Sequence, residues 1–182
     1  MNNATLLVIY ATVNGQAERI ARRIAEAAQE SGVESVVKDV RQASGADLES
    51  RGSVIVVASV RFGRHARSVT RFVKANQARL NATHSAFVSV SGSAADAATR
   101  PEAEKYVREF LQTTGWTPSE HQLAGGGVPF TKYNPLIRFI TRHAFAANGK
   151  VMDTHRNYDF TDWQAVKEFA KRFVASGHSR VA

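Results

Sequence analysis

Cysteine is absent from the 182-residue chain, which excludes disulfides, thiolate catalysis and any metal site built from cysteine. The sequence also has no run of 18 or more apolar residues, so it predicts no transmembrane helix. The N-terminus lacks the basic segment and apolar core that mark a secretory signal. These absences favour a cytoplasmic protein.

Acidic residues are too few to balance the basic ones. The chain has 24 Lys and Arg against 16 Asp and Glu, which leaves a formal net charge of +8. This balance favours an anionic partner such as acidic lipid, nucleic acid or an acidic small molecule. Nucleic acid is not expected, because the basic segments lack interleaved aromatic residues and contain no known binding motif.

The basic residues concentrate in two segments, residues 61–80 and 132–156. No acid occurs in the first segment, where helical spacing places four cations on one side: Arg64, Arg67, Arg71 and Lys74. A solvated helix face and an anion-binding surface are both consistent with this pattern.

Apolar strand-like runs alternate with helical patterns along the whole chain. Five strands are predicted, at 4–10, 33–40, 53–59, 84–90 and 121–125, and residues 41–52 between them are predicted to be a loop. Helices are predicted from about Arg67 to Leu80, from Pro101 to about Thr114, and after a cap at Thr161 or Asp162. The alternation predicts one α/β domain over 1–182, with a doubly wound five-stranded parallel sheet.

The turn after the first strand, Thr12-Val13-Asn14-Gly15-Gln16, leads directly into a helix with an apolar face. Free backbone N–H groups and the helix dipole suit a phosphate there, and Gly15 permits a positive φ. The turn contains neither a P-loop nor a Gly-x-Gly-x-x-Gly motif. It resembles the flavodoxin phosphate loop, with Val13 and Ala17 where flavodoxins usually have threonine. An ordinary turn without a ligand is the alternative.

Two other loops are expected at the same edge of the sheet, because the carboxyl ends of parallel strands meet there. Val60–His65 contains Arg61-Phe62-Gly63, and Ser91–Arg100 is rich in small residues. A phosphate site, an aromatic plane and free amides together match the needs of flavin mononucleotide (FMN). The predicted cofactor-binding residues are Thr12, Val13, Asn14, Gly15, Gln16, Ala17, Ser59, Arg61, Phe62, Gly63, Ser89, Val90, Ser91 and Gly92.

An insertion at about 126–156 separates the fifth strand from the last helix. It contains a predicted helix, Pro135–Ala147, in which Leu136, Phe139, Ile140 and Ala144 share one face. Arg138 and Arg142 lie on another face, and apolar residues beside arginines suit a helix in a membrane interface. The alternative is a helix that packs on the domain's own surface or covers the active site.

The whole pattern resembles the menaquinone-dependent protoporphyrinogen IX dehydrogenases, a flavodoxin-like family. The matching stretches occur in the family's order over nearly the whole chain: Thr12–Gln16, Glu18–Ala21, Ala58–Gly63, Phe72–Lys74, Ala86–Val90, Ala124–Gly125 with Pro129, and Phe160–Trp163. The resemblance implies a flavodoxin-like sheet with strand order 2-1-3-4-5 and FMN as the cofactor.

The resemblance further implies that the enzyme oxidises protoporphyrinogen IX to protoporphyrin IX, a step of haem biosynthesis, with a membrane quinone as acceptor. The flavin N5 would be the reactive centre, so no catalytic side chain and no metal site are expected. Arg64, Arg67 and Lys132 are candidates for binding substrate carboxylates. A cytoplasmic enzyme lying peripherally on the cytoplasmic face of the inner membrane is implied.

Two other functions are compatible with the same fold. A flavodoxin-type electron carrier would bind FMN without turning over a substrate of its own. Such carriers are usually acidic, whereas this chain is basic. A soluble NAD(P)H:quinone reductase would instead reduce its flavin directly with a nicotinamide.

Overall fold

The computed structural model describes residues 5–49, 52–147, 149 and 151–178. The first half of the chain contains β1 (Thr5–Ala11), α1 (Gln16–Glu30), β2 (Glu34–Asp39), α2 (Gly45–Glu49), β3 (Ser53–Arg61), β4 (Arg64–His65), α3 (Arg67–Ala75) and α4 (Gln77–Ala82). The second half contains β5 (His84–Ser91), α5 (Arg100–Thr114), β6 (Glu120–Gly125), β7 (Gly127–Pro129), α6 (Pro135–Ala147), β8 (Asn157–Asp159) and α7 (Trp163–His178).

Five of these strands form a parallel sheet in the order β2-β1-β3-β5-β6. The predicted five-strand flavodoxin-like order is therefore confirmed, since β5 and β6 are the fourth and fifth predicted strands. The two-residue strand β4 is an addition, and it pairs antiparallel with the end of β3. A short antiparallel pair, β7 and β8, lies outside the main sheet.

Successive residues of the central strands point to opposite faces of the sheet, and each face has its own core. Leu6 and Val8 of β1 pack into the core that includes α1 and α7. Leu7 and Ile9 pack into the other core, which includes α3, α4 and α5. Because both faces are covered, the strands read as continuous apolar runs rather than as alternating ones.

Two sequence-based expectations about local structure were wrong. The helix predicted over 67–80 is divided at Asn76, whose side-chain amide donates to the Phe72 carbonyl at 2.8 Å and competes with the helical ladder. Residues 41–52 were predicted to be a loop but contain α2. That helix begins where the Asp47 carboxylate accepts from the Ser44 backbone N–H at 2.9 Å, in the manner of a capping box.

The insertion is joined to the sheet by hydrogen bonds between its two ends. The Phe160 N–H donates to the Gly126 carbonyl at 3.2 Å, and Thr161 Oγ1 donates to the Gly125 carbonyl at 2.7 Å. Phe130, between β7 and α6, is fully buried. The insertion is thereby attached to the carboxyl end of β6, which is the edge where the predicted loops lie.

Candidate active site

The three predicted loops meet at one cavity of about 470 Å³, within the usual size range of small-molecule sites. Ten of the predicted cofactor-binding residues line it: Val13, Asn14, Gln16, Ser59, Arg61, Phe62, Gly63, Val90, Ser91 and Gly92. The other four, Thr12, Gly15, Ala17 and Ser89, are not in its lining. The cavity is completed by residues of α5, of the Gly126–Val128 segment and of α6.

Gly15 has the geometry that the phosphate turn requires. Its φ is +89°, in the left-handed region, and an added Cβ would meet no atom within 4 Å. Its own N–H donates to Thr12 Oγ1 at 2.9 Å, which shapes the turn, and a hydroxyl that accepts in this way can still donate its proton to an anion. Further donors are the first N–H groups of α1, which begins at Gln16 and offers them no partner within the helix.

Gln16 takes a role that the sequence pattern did not predict. Its side-chain amide donates to Thr161 Oγ1 at 2.6 Å and to Asp159 Oδ1 at 2.9 Å. Arg19 adds a 3.0 Å ion pair with Asp159. The side chain of Gln16 therefore connects the phosphate turn to the insertion, and its backbone N–H remains the group suited to an anion. Ala17 is fully buried against the core beneath the turn.

Phe62 and Gly63 are the central residues of a tight turn between β3 and β4. Their φ values are +49° and +74°, which is the pattern of a type I′ hairpin turn. A phenylalanine is strained in this region, and it is 73% exposed at the cavity. The Arg61 guanidinium lies 5.1 Å from the ring centroid. An exposed, backbone-strained aromatic suits stacking against a planar ligand.

Replacing Phe62 by asparagine separates the backbone strain of this residue from the stacking of its ring on a ligand. We expect Phe62→Asn to stabilise the cofactor-free protein by about 1 kcal/mol, because asparagine tolerates a positive φ. We expect the same change to weaken FMN binding about tenfold through loss of stacking. Urea denaturation and flavin fluorescence titration measure the two effects. Phe62→Tyr is the matched control and should keep the affinity; equal FMN affinity of wild type and the asparagine variant would contradict the stacking role.

His65, in β4 just after this turn, packs against residues of β5 and α5 and was not identified from the sequence. Its Nε2 lies 3.0 Å from Ser89 Oγ, and its ring packs against Phe87 and Phe110 at centroid distances of 5.2 and 4.8 Å. Ser89, predicted to contact the cofactor, is fully buried in this pair instead of lining the cavity. Burial lowers the pKa of His65 to about 4, so the imidazole is neutral at pH 7.

The depressed pKa of His65 makes folding stability depend on pH. Between pH 6.5 and about 4 the unfolded chain binds a proton here and the native chain does not, so the stabilisation present above pH 6.5 is lost as pH falls. The loss should reach about 3 kcal/mol at the acid end. As the pH is lowered through this range, the urea concentration at the midpoint of unfolding should fall less steeply for His65→Gln than for wild type. The exposed His143→Gln is the control, and parallel curves for wild type and His65→Gln would refute the assignment.

Two carboxylates lie at the cavity: Asp96 in the third loop and Glu102 in the first turn of α5. Glu102 accepts a 3.0 Å hydrogen bond from Ser93 Oγ. Burial and the neighbouring Glu102 carboxylate raise the pKa of Tyr106 to about 12, so this phenol stays protonated. One wall of the cavity is therefore negatively charged, and Tyr106 stands beside it as a neutral hydrogen-bond donor.

Helix α6 covers the cavity with one face and exposes the other. Ile137, Ile140, Thr141, Ala144 and Phe145 line the cavity. An added Cβ on Gly92 would lie 3.8 Å from Phe145 Cζ, so the helix reaches the third loop. The segment before the helix also closes over the phosphate turn, because Asn14 Nδ2 donates to Tyr133 Oη at 3.2 Å.

The three residues predicted to bind substrate carboxylates are not brought together. Arg64 and Arg67 lie along a second groove, beside the cavity and between α3 and α5. Lys132 is exposed on the insertion and lines neither the cavity nor the groove. Of the three, Arg64 and Arg67 lie next to the cavity, on its α3 side.

Comparison with known sequences gives consistent matches over most of the chain. The flavodoxin domain family matches residues 7–155. The protoporphyrinogen IX dehydrogenase [quinone] of Escherichia coli strain K12 is 30% identical over 169 residues, which cover 92% of this chain and 93% of that protein. The enzyme of the same name from Leishmania major is 29% identical over 171 residues, covering 93% of this chain and 74% of that protein.

Solved structures agree on the fold. A short-chain flavodoxin associated with a non-canonical PDU bacterial microcompartment has a TM-score of 0.61 at 15% identity, covering 96% of this chain and 99% of that one. A flavodoxin from Streptococcus pneumoniae TIGR4 has a TM-score of 0.59 at 15% identity, covering 95% and 99%. The expected family is thereby confirmed: the chain belongs to the flavodoxin domain family and, within it, to the protoporphyrinogen IX dehydrogenases [quinone].

Proposed function

We propose that this protein is an FMN-dependent enzyme that oxidises protoporphyrinogen IX and passes the electrons to a quinone. The observation that carries the proposal is the meeting of the phosphate turn, the Phe62–Gly63 turn and the Ser91–Thr99 loop at one cavity in a chain of this family. When bound, FMN supplies a ring nitrogen that accepts hydride and returns electrons in a later step.

The residues present fit such a cofactor. The first-turn amides of α1, at the positive end of the helix dipole, suit the phosphate, with open space in front of Gly15. Phe62 offers its exposed ring to the isoalloxazine. The small residues Ser91 and Gly92 let the backbone approach the polar edge of the flavin.

The insertion helps this site to exclude water. Ile137, Ile140 and Phe145 form an apolar cover over the cavity, which strengthens the polar interactions beneath it. Tyr133 anchors the start of that cover to the phosphate turn through Asn14. The protein's own contribution is therefore to bind, orient and enclose, and no side chain is required as a nucleophile.

A direct test is anaerobic oxidation of protoporphyrinogen IX by the FMN-loaded protein with menadione as acceptor. Fluorescent protoporphyrin IX should appear only when the flavin, the quinone and the protein are all present. If the flavin cycles only with a separate reductase and no porphyrin forms, the protein is an electron carrier. If NAD(P)H alone rapidly bleaches the flavin, the protein is a nicotinamide:quinone reductase.

We also propose that α6 is where the enzyme meets a membrane and its lipid-soluble quinone. Among the described residues, no helix combines the length and the apolar character needed to cross a bilayer. The outer face of α6 exposes Leu136 and Phe139 by 66% and 60%, beside the exposed Arg142, while the half-buried Arg138 donates to the Tyr133 carbonyl. Apolar side chains flanked by cations suit an anionic membrane interface, and the inner face of the same helix covers the cavity.

This membrane contact predicts a specific loss. Leu136→Ser with Phe139→Ser should reduce co-sedimentation with phosphatidylglycerol vesicles about tenfold or more, because both apolar contacts leave the interface. FMN affinity should not change, since neither residue lines the cavity. Val151→Ser, at a residue that is 99% exposed and outside the cavity lining, is a control for loss of apolar surface. Unchanged sedimentation of the double variant would exclude α6 as the contact.

A further inference from the structure

A basic groove of about 1020 Å³ lies behind the Phe62–Gly63 turn, between α3 and α5. Its α3 side carries the exposed cations Arg67, Arg71 and Lys74, and Arg64 stands at its rim. Within the part of the chain that the structure describes, none of the four makes an ion pair. The groove therefore has an excess of positive charge that the described residues leave unpaired.

The opposite wall does not neutralise this charge. It consists mainly of uncharged side chains of α5, including Phe110, Gln112 and Thr113. Glu109 on that wall forms an ion pair with Lys105, with 3.7 Å between its Oε1 and the lysine Nζ. Lys105 therefore offsets the negative charge of this carboxylate. An anion in the groove would meet three or four cations and one already paired carboxylate.

The groove and the flavin cavity are neighbours that share two lining residues, Gly63 and Tyr106. An added Cβ on Gly63 would lie 3.7 Å from Tyr106 Cε1, an ordinary van der Waals distance, so these two residues form the boundary between the two spaces. A ligand at the cavity mouth would reach the groove with short side chains that cross this boundary.

The two spaces differ in charge. The cavity lining carries the carboxylates Asp96 and Glu102 with one cation, Arg61, whereas the groove carries the cations of α3. A ligand with carboxylates along one edge is attracted to the groove by that edge. The same carboxylates turned towards Glu102 would be repelled, since like charges brought together cost free energy.

We propose that the α3–α5 groove binds the two propionate carboxylates of the porphyrinogen and so determines which edge of the macrocycle enters the flavin cavity. The inference rests on the proposed function and adds an orientation to it. In protoporphyrinogen IX both propionates are on one edge, and the opposite edge carries only methyl and vinyl groups. That apolar edge then faces Ile137, Ile140 and Phe145 of α6.

The test compares porphyrin binding by the FMN-loaded protein with and without two groove charges. Protoporphyrin IX and its uncharged dimethyl ester serve as probes, with binding followed by fluorescence in the same detergent buffer. Arg67→Gln with Arg71→Gln should weaken binding of the diacid about tenfold and that of the diester less than twofold. The control Arg108→Gln with Arg172→Gln removes the same charge from exposed positions outside the groove and should change neither affinity by more than twofold.

The outcomes separate this inference from the function on which it rests. Equal diacid affinities for wild type and the groove variant would overturn the inference, as would an equal loss in the control variant, while turnover with porphyrinogen would still support the function. A holoprotein that neither binds porphyrin nor oxidises porphyrinogen would overturn both. Retained FMN affinity in the groove variant shows that any loss concerns the porphyrin and not the cofactor.

Discussion

Gly15→Val is expected to abolish FMN binding and, with it, the flavin colour and the proposed oxidation of porphyrinogen with a quinone as acceptor. The residue has a φ of +89°, which a β-branched side chain does not adopt without strain. Its Cβ direction opens onto space that no protein atom occupies within 4 Å, where the phosphate is proposed to lie. A valine would both distort the turn and fill that space. Affinity should fall by at least a hundredfold, measured by flavin fluorescence titration.

Gly32→Val is the matched control for this experiment. Gly32 also has a positive φ, +80°, and an added Cβ there would likewise meet no atom within 4 Å. It follows the other end of α1, away from the cavity lining. The two variants should lose similar stability in urea, about 1–2 kcal/mol, because the backbone strain is the same. Only Gly15→Val should lose the cofactor; equal FMN affinities in both variants would mean that the phosphate is held elsewhere.

Gly125→Ala is expected to cause the second large effect, a loss of about 3 kcal/mol in the free energy of unfolding. An added Cβ would overlap the carbonyl oxygen of Phe160. Neither partner can move aside easily, since the contact is with backbone and the adjacent Thr161 hydroxyl is bonded to the Gly125 carbonyl. The returning chain of the insertion must separate from β6, which weakens the cover over the cavity. Urea denaturation and FMN titration together measure the damage.

Gly92→Ala is the comparison for stability. Its added Cβ would lie 3.8 Å from Phe145, an ordinary van der Waals distance, and its φ is not in the left-handed region. It should change the free energy of unfolding by less than about 0.5 kcal/mol. If Gly125→Ala were equally mild, the close contact between β6 and the returning chain could not be what holds the insertion in place.

Much of the scaffold was predictable because its signals are local. The apolar runs of β1, β3 and β5 reflect burial on both faces of a parallel sheet, and such a sheet brings the following loops to one edge. The helix predicted over Pro135–Ala147 is confirmed as α6, and Asn134 Oδ1 accepts from the Ile137 N–H at its start, at 2.9 Å. Asp162 caps α7 in the same way, accepting from the Ala165 N–H at 2.9 Å.

Partners far apart in the chain were not predictable from these patterns. Gln16 reads as a phosphate-turn residue, yet its amide binds Asp159 and Thr161, 143 and 145 positions away. Ser89 reads as a cofactor contact, yet it pairs with His65 beneath the turn. Neither pairing leaves a periodic or compositional signal, because each depends on how the insertion and the β3–β4 turn pack against the sheet.

By itself, the sequence determined the strands, the phosphate turn with its required glycine and the basic character of α3, since each follows from burial, backbone conformation or charge within a short stretch. Only the tertiary structure decided which face of α6 covers the cavity, which arginines adjoin it and which side chains are already occupied. Those outcomes depend on contacts between segments distant in the chain, and such contacts are established by packing in three dimensions rather than by local preference.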